Sequence, residues 1–180
     1  MAYERIDDSK EYDGKERDTH EVRYRIARQY VGDDDIVLDA CCGTGYGQDI
    51  LTDRFSAKSV RVRWIGTDNK PAHPRIRRYD YDTGRGDPLT PVNAHDVFVG
   101  LECIEHLTDA GVARFVEHAK EATHTIVIST PIVRNKNPYH IQQFSKGDIM
   151  KLFGDDTWGL YEYLEQDSKY GIFIFKKHKA

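Results

Sequence analysis

The chain has 180 residues, of which 39% are hydrophobic and 31% are charged, and its formal net charge is −4. A chain of this length is expected to form one domain, spanning residues 1–180, that buries roughly two-thirds of its unfolded surface. The net negative charge excludes a general electrostatic attraction to nucleic acids or anionic membranes. No apolar run approaches the roughly 18 residues that a membrane-spanning helix needs, so no membrane partner is predicted.

The three cysteines, Cys41, Cys42 and Cys103, all fall at predicted core or turn positions. An odd number of cysteines fits no disulfide framework, and no C-x-x-C spacing indicates a metal site. Cys42 and Cys103 are therefore interpreted as small buried hydrophobic side chains. The N-terminus lacks the pattern of a signal peptide, and together with the cysteine count this predicts a cytoplasmic location.

The first 32 residues are predicted to form a charged arm and then a helix. The helix begins at Asp18 or Thr19, either of which can cap it, and its apolar face continues to about Tyr30. Gly32 and the acidic run Asp33–Asp35 end this helix and lead into the first strand.

Strands and helices then alternate along the chain. Helices are predicted after the first and fourth strands, at residues 48–55 and 108–122, and a last helix is expected near residues 146–153. The predicted strands are Ile36–Leu38, Val60–Asp68, Ile76–Asp80, His95–Leu101, Thr125–Thr130, Gly159–Leu164 and Gly171–Phe175, of which the last two form a hairpin. This order predicts an α/β fold with a Rossmann-like, doubly wound seven-stranded sheet, mostly parallel with one antiparallel edge strand.

The connection between the second and third predicted strands is too short for a standard crossover. Pro71 and Pro74 leave no room for a full helix between Asn69 and Arg75. Either the crossover is a short irregular loop, or the third strand is displaced.

The segment Asp39–Gly47 joins the first strand to a helix through a glycine-rich turn. Gly43 and Gly45 let the backbone approach a ligand, and a nucleotide-like cofactor is expected at such a turn of a doubly wound fold. The Asp39 carboxylate would repel a pyrophosphate but suits a ligand with an ammonium group. Asp68, at the end of the second strand, can accept both hydroxyls of a ribose. An ammonium group, a ribose and an adenine describe S-adenosylmethionine better than NAD.

Several motifs, in order along the chain, resemble those of class I S-adenosylmethionine-dependent methyltransferases. Val37–Gly45 resembles their first motif, Gly66–Asp68 their ribose-binding acidic motif, and Asp96–Val99 with Glu102–Leu107 their fourth motif in its E-x-x-E-H-L version. Other segments are similar to a compact subgroup found beside polysaccharide genes and in phages, namely His20–Tyr24, Ile128–Pro131 and Asn137–His140. The resemblance implies a methyltransferase fold, S-adenosylmethionine as cofactor, and an N-terminal arm and helix, residues 1–32, that can act as a lid.

The resemblance also implies which residues contact the cofactor. They are Asp39, Cys41, Gly43, Gly45, Asp68, Asn69, Asp80 and Leu101. Cys41 stands where the family usually has glycine or alanine, which adds a side chain near the cofactor. Adenine contacts in the family come from an acidic residue after the third strand, a role for which Asp80, the favoured candidate, and Asp82 compete.

Glu102, Glu105 and His106 form the candidate catalytic segment. A helical turn after the fourth strand would place these side chains on one face, where they could hold a divalent metal with His140 as a fourth ligand. Mixed oxygen and nitrogen ligands suit Mg²⁺ or Mn²⁺. A similar arrangement binds metal in small-RNA 3′-terminal 2′-O-methyltransferases and some ubiquinone-pathway O-methyltransferases, which resemble this segment. Without a metal, His106 or His140 is a candidate general base, and Glu102 lines the acceptor pocket with them.

The predicted function is methyl transfer from S-adenosylmethionine to an oxygen or nitrogen acceptor on a small molecule, a saccharide or a nucleic acid. The alternative is a catalytically inactive S-adenosylmethionine-binding module that acts through protein contacts. An NAD-dependent oxidoreductase is disfavoured because the G-x-G-x-x-G spacing is missing. Six arginines make the middle of the chain basic and keep nucleic acid among the acceptors: Arg61, Arg63, Arg75, Arg77, Arg78 and Arg85.

Overall fold

The structure is a computed structural model that describes residues 14–53, 61–86, 95–134 and 136–178. Most of the predicted N-terminal arm lies outside these residues. So do the predicted end of the second helix and Val60, where the second strand is predicted to begin.

Four α-helices lie in the described residues, and none of them is both long and apolar enough to cross a membrane. They are α1 (Gly14–Arg28), α2 (Gly47–Leu51), α3 (Asp109–Lys120) and α4 (Lys146–Phe153), and a 3₁₀ turn spans Ile104–His106. Thr108 caps α3 by accepting a hydrogen bond from the Gly111 amide. Ser145 and Asp148 form a reciprocal capping box at the start of α4.

The described residues contain eight strands: β1 (Ile36–Ala40), β2 (Arg63–Asp68), β3 (Arg77–Asp80), β4 (Arg85–Gly86), β5 (Val97–Leu101), β6 (Thr125–Pro131), β7 (Trp158–Gln166) and β8 (Tyr170–Lys177). They form one sheet in the order β4-β3-β2-β1-β5-β6-β8-β7. The five strands from β3 to β6 in this order are parallel, whereas β4 pairs antiparallel with β3, and β8 with both β6 and β7. The predicted α/β fold with a mostly parallel, Rossmann-like sheet is therefore confirmed.

Two details of the sheet differ from seven strands with one antiparallel edge strand. The eighth strand is β4, whose two residues pair with Tyr79 and Asp80 in a region that the sequence predicts as loop. The antiparallel strand β8 lies inside the sheet, so that β7 forms the edge. The physical reason is burial: residues 171–175 of β8 are all buried, whereas most of β7 is half-buried or exposed.

The connection between β2 and β3 contains no helix. Residues 69–76 form bends and a turn around Pro71 and Pro74, and the Ile76 amide donates a hydrogen bond to the His73 carbonyl. Arg77 begins β3, close to the predicted start of the third strand. The interpretation as a short irregular crossover is therefore confirmed.

The two faces of the sheet bury separate apolar clusters. Along β5, Phe98 packs into a cluster with Phe115 of α3, while Val97 and Val99 pack into another with Leu51 of α2. Central parallel strands are covered on both faces, which explains why β5 reads as a continuous apolar run.

The order of the strands changes direction at β1. β2 pairs with one side of β1, and β5, which comes later in the chain, pairs with the other side. In open α/β sheets, ligands bind outside the carboxyl ends of the strands at this switch point. The glycine turn after β1 and the acidic segment after β5 both begin there.

Candidate active site

The turn after β1 uses backbone angles that favour glycine. Cys41, Gly43 and Gly45 have φ values of 55°, 60° and 79°, which lie in the left-handed region. A Cβ added at Gly45 would also lie 3.1 Å from the Ile76 side chain. Both the backbone and the space therefore favour glycine here, and bare backbone reaches the carboxyl end of β1.

Asp68 ends β2 beside this turn. One of its carboxylate oxygens accepts a hydrogen bond from the Gly43 amide at 3.1 Å, and the other accepts one from the Lys70 amide at 2.8 Å. The turn and Asp68 therefore form one hydrogen-bonded unit across neighbouring strands. Asn69, predicted as a further contact, directly follows the end of β2.

Asp39 is fully buried within β1. Its carboxylate accepts hydrogen bonds from the Tyr24 hydroxyl at 3.2 Å and from the Trp64 Nε1 at 3.0 Å. Burial raises the pKa of Asp39 to about 7, although these two donors act in the opposite direction. Sequence reasoning misses Trp64. This residue of β2 lies opposite Val37 of β1, and only the pairing of the two strands brings it to Asp39.

The two acidic residues that compete for the adenine contact have different surroundings. Asp82 accepts hydrogen bonds from the amide and the hydroxyl of Thr108, each at 2.8 Å, and so fixes the start of α3. Asp80 ends β3 and lines an open cavity of about 460 Å³ together with Arg78 and Arg85. Oδ1 of Asp80 also accepts hydrogen bonds from the amides of Asp82 at 2.9 Å and Thr83 at 3.4 Å. Both carboxylates therefore have local partners, and the adenine contact stays a prediction.

Glu102 follows β5 in a left-handed conformation, with φ of 52°. Its Oε1 accepts a hydrogen bond from the Ser129 hydroxyl at 2.9 Å and lies 3.6 Å from Nη1 of Arg23, which is 3% exposed. Glu102 is therefore bound to both β6 and α1. Leu101, a predicted cofactor contact, is the last residue of β5 and is buried.

Glu105 lies in the 3₁₀ turn, and only 1% of it is exposed. Its Oε2 accepts a hydrogen bond from the Thr130 hydroxyl at 3.1 Å, whereas Oε1 is buried without a hydrogen-bond partner among the described residues. Burial, followed by the charge of Glu102, raises the pKa of Glu105 well above its usual range. A buried oxygen without a partner is costly, so Glu105 is a candidate ligand for a cation.

His106 and His140 lie side by side, with their ring centroids 4.7 Å apart. Nδ1 of His106 donates to the Tyr139 carbonyl at 3.0 Å, because a carbonyl can only accept, and a neutral His106 therefore carries its lone pair on Nε2. Nε2 of His140 lies 3.1 Å from Nδ2 of Asn137. The two amides that follow His140 both donate to the Glu105 carbonyl at 3.0 Å, which anchors this loop.

Three of the four predicted metal ligands come together. Ligand atoms of Glu105, His106 and His140 lie within 4.8 Å of one another. Glu102 is outside this group, because its carboxylate is engaged by α1 and β6. The predicted helical turn is a shorter 3₁₀ turn that begins after Glu102, so Glu102 does not share one face with Glu105 and His106 as predicted.

Three side chains of α1, His20, Arg23 and Tyr24, reach the site. His20 forms a hydrogen bond with the Tyr46 hydroxyl of the glycine turn. Arg23 pairs with the Glu102 carboxylate, and the Tyr24 hydroxyl donates to the Asp39 carboxylate. Burial, followed by the charge of Arg23, lowers the pKa of His20 to about 3. His20 is therefore neutral and too weakly basic for a general base. The role of this helix as a lid stays a prediction.

The cysteine pairing corrects an expectation from the sequence. Cys41 and Cys103 form a disulfide, with their Cα atoms 6.0 Å apart, so the interpretation of Cys103 as a small hydrophobic side chain without a covalent partner is wrong. Their sequence separation of 62 hides the fact that β1 and β5 are neighbouring strands. Cys42 is buried, as predicted, and is not part of the disulfide.

Sequence comparison points to a single family. No protein-family profile matches the chain. A curated protein of Mycolicibacterium smegmatis, named "Probable S-adenosylmethionine-dependent methyltransferase", is 31% identical over 188 aligned positions, which cover 87% of this chain and 68% of that protein.

Solved structures share the fold. A SAM dependent methyltransferase from Aquifex aeolicus matches with a TM-score of 0.65 at 12% identity, over 93% of this chain and 100% of that chain. The 1,6-didemethyltoxoflavin-N1-methyltransferase of Burkholderia thailandensis, solved with bound S-adenosylhomocysteine, matches with a TM-score of 0.60 at 16% identity, over 93% and 83% of the two chains. At these identities the similarity concerns the fold.

Proposed function

This chain belongs to the S-adenosylmethionine-dependent methyltransferases, and we propose that it moves the methyl group of this cofactor to an oxygen or nitrogen acceptor. The observation that carries the proposal is the adjacent pair His106 and His140. Both histidines come after the carboxyl ends of parallel strands, as does the hydrogen-bonded unit of Gly43 and Asp68. The acceptor belongs to a small molecule, a saccharide or a nucleic acid. Within the family, we assign the chain to the compact subgroup with the E-x-x-E-H-L motif.

We assign cofactor binding to the glycine turn and the strand ends around it. The cofactor supplies an activated methyl group, so the chain itself has to bind it, orient it and align the acceptor. The residues proposed to contact it are Asp39, Cys41, Gly43, Gly45, Asp68, Asn69, Asp80 and Leu101. Among them, Asp68 is supported best, because it already links β2 to the turn through the Gly43 amide.

Replacing Asp68→Asn tests this assignment. A hydrogen bond to a charged group contributes about 1.5–3 kcal/mol, so the variant is expected to bind S-adenosylhomocysteine roughly 10- to 100-fold more weakly. Isothermal calorimetry measures the affinity. Asp34→Asn, which removes an exposed carboxylate paired with Arg61, is the matched control. A folded wild-type chain that does not bind, or equal affinities of wild type and Asp68→Asn, would contradict the assignment.

We propose His106 as the general base that removes a proton from the acceptor. The Tyr139 carbonyl fixes the proton on Nδ1, which leaves Nε2 to take up the acceptor proton. His140 and Glu102 line the acceptor side of the site with it. A base with a fixed tautomer does not need to reorganise before it reacts.

His106→Ala is expected to lower methyl transfer by roughly 10²- to 10⁴-fold and to leave binding of S-adenosylhomocysteine unchanged. The assay follows the labelled methyl group of S-adenosylmethionine onto a panel of small molecules, oligosaccharides and nucleic acids. His124→Ala serves as a control. His124 precedes β6 and so lies at the amino ends of the parallel strands, away from the site at their carboxyl ends. The alternative, a binding module without catalysis, predicts that the protein binds S-adenosylhomocysteine but methylates no acceptor. In that case His106→Ala would not change the biological function.

As the alternative to this role of His106, we propose that Mg²⁺ or Mn²⁺ binds Glu105, His106 and His140. The buried Glu105 Oε1 fits this assignment, because a cation would satisfy the oxygen. Glu102, which is also predicted as a ligand, would have to leave Arg23 to reach the same ion. A divalent cation would supply positive charge that favours a deprotonated acceptor. His106 would then be a ligand rather than the base.

EDTA followed by Mg²⁺ or Mn²⁺ distinguishes the two roles of His106. With a metal site, EDTA abolishes methyl transfer and either cation restores it. Calorimetry with Mn²⁺ gives a second measurement, in which Glu105→Gln should lose the binding of wild type. Unchanged rates together with no Mn²⁺ binding would contradict the metal site and favour His106 as the general base.

A cytoplasmic location stays a prediction from the sequence.

A further inference from the structure

A covalent bond joins the two segments that border the proposed site. Cys41 is the first residue of the glycine turn, and Cys103 lies two residues after β5. Their Cα atoms are 6.0 Å apart, within the range that a disulfide spans without movement of the backbone. The bond therefore links the carboxyl ends of two neighbouring strands, β1 and β5.

This link lies at the switch point of the sheet. β1 pairs with β2 on one side and with β5 on the other, and ligands of open α/β sheets bind in the crevice that this reversal creates. Cys103 is 3% exposed, while Cys41 is half-buried. The bond is therefore reached from the side of the turn.

The backbone on both sides of the link is strained. Cys41 and Glu102 have φ values of 55° and 52°, a conformation that side chains other than glycine adopt at a cost. Such conformations persist when the surrounding structure holds them. A bond between Cys41 and Cys103 restrains both strained residues. It acts on Cys41 directly and on Glu102 through the adjacent Cys103.

We propose that Cys41 and Cys103 form a reversible oxidation site that couples the affinity for the cofactor to the thiol redox state. The disulfide keeps the turn in its left-handed conformation, so the oxidised protein binds S-adenosylmethionine more tightly than the reduced protein. The inference rests on the proposed function in one respect, which is that the glycine turn contacts the cofactor.

The chemistry requires a peroxide as oxidant and a dithiol as reductant. Two thiols lose two protons and two electrons as the sulfur–sulfur bond forms, and the oxygen–oxygen bond of hydrogen peroxide breaks to give two molecules of water. Dithiothreitol reverses the step by thiol–disulfide exchange, through a mixed disulfide, and is itself oxidised to a cyclic disulfide.

Counting thiols tests the pairing. After hydrogen peroxide, alkylation of the unfolded wild-type chain should modify only Cys42, and after dithiothreitol it should modify all three cysteines, as mass spectrometry reads directly. Cys42→Ser is the matched control, because it removes the buried neighbour and keeps the pair. Three modified cysteines after peroxide would overturn the proposal.

Calorimetry with S-adenosylhomocysteine tests the coupling. We expect the oxidised wild type and Cys42→Ser to bind on the order of tenfold more tightly than their reduced forms. Cys103→Ser and Cys103→Ala should each bind S-adenosylhomocysteine with the same affinity after peroxide and after dithiothreitol. Two substitutions are used because a buried serine hydroxyl could by itself destabilise the core. Equal affinities of oxidised and reduced wild type, with the disulfide confirmed, overturn the coupling alone. A wild type that binds in neither state overturns the proposed cofactor site and the coupling with it.

Discussion

At the residue scale, the two aspartates near the glycine turn have different environments. Asp39 is fully buried and accepts hydrogen bonds from side chains, Tyr24 and Trp64. Asp68 is only partly buried and accepts hydrogen bonds from backbone amides on both of its oxygens. Asp39 therefore acts on the turn from within the core, and its protonation depends on whether the chain is folded.

Asp39 should give the stability of the protein a specific pH dependence. Its pKa is about 7 in the folded protein, against a usual value of 3.8. Between these values the folded state binds more protons than the unfolded state, so the stabilising contribution is complete below the lower value and is lost as the pH rises through about 7. Relative to Asp39→Asn, the free energy of unfolding of wild type should fall by up to about 1.4 kcal/mol per pH unit.

Urea unfolding of both proteins between about pH 4 and pH 8 measures this difference. Asparagine keeps one oxygen that can accept from Trp64, while its amide nitrogen replaces the oxygen nearest to the Tyr24 hydroxyl and can donate to that hydroxyl. The substitution therefore removes the charge and keeps a polar group at both positions. Parallel curves for the two proteins would show that Asp39 does not titrate in this window.

At the element scale, Arg23 connects α1 with the hairpin of β7 and β8. Its Nε donates to Oε1 of Gln166 at 2.7 Å, and its guanidinium lies 4.0 Å from the centroid of the Tyr170 ring. Nε2 of Gln166 in turn donates to the Thr19 carbonyl at 3.0 Å. Since Arg23 also pairs with Glu102, the first helix and the last hairpin meet at the acidic segment after β5.

Arg23→Met should loosen this junction. The substitution removes the Arg23 guanidinium from the mostly buried Glu102 carboxylate, and breaking a buried ion pair on one side costs roughly 3–5 kcal/mol. We expect a lower free energy of unfolding and faster hydrogen exchange of residues 14–28 and 166–170. Mass spectrometry of deuterium uptake, together with urea unfolding, measures both effects.

Arg25→Met is the control on the same helix. Arg25 is 67% exposed and pairs with Glu21 one turn away, so its loss should change the stability by less than about 1 kcal/mol. If Arg23→Met exchanged as slowly as Arg25→Met, the junction would not hold α1.

At the scale of the whole molecule, helix α3 packs closely against the central strand β5. A Cβ added at Gly100 in β5 would lie 2.3 Å from Cζ of Phe115 in α3. The Phe115 ring is fully buried and meets the Phe98 ring edge-on, with centroids 5.1 Å apart. The glycine therefore lets α3 approach the backbone of a central strand.

Gly100→Ala should destabilise the protein by roughly 1–3 kcal/mol, because the added methyl group overpacks a closed core. Gly147→Ala is the matched control: its Cβ would lie 3.7 Å from its nearest neighbour, Oγ of Ser145. In α4 alanine should stabilise by up to about 1 kcal/mol. Thermal unfolding of both variants measures the difference, and equal midpoints would mean that α3 can move away from β5.

The helices and central strands could be predicted because each carries its own pattern, but α1 begins at Gly14 and not at the predicted Asp18 or Thr19. Lys146–Phe153 has a capping residue and apolar spacing, and Val97–Leu101 is an unbroken apolar run. Two features carry no such pattern. Arg85–Gly86 is too short to show a periodicity, and the position of Tyr170–Lys177 inside the sheet depends on which hairpin strand buries more apolar surface.

The doubly wound fold and its glycine turn follow from the sequence, because periodicity and turn residues are local properties of the chain. The family follows from the resemblance of its motifs to those of known methyltransferases. The tertiary structure adds contacts between residues that are distant in sequence. It pairs Cys41 with Cys103, encloses Asp39 with Trp64, and separates Glu102 from Glu105 and the two histidines. The physical reason is the order of the strands, which decides which ends become neighbours and is not written in any single segment.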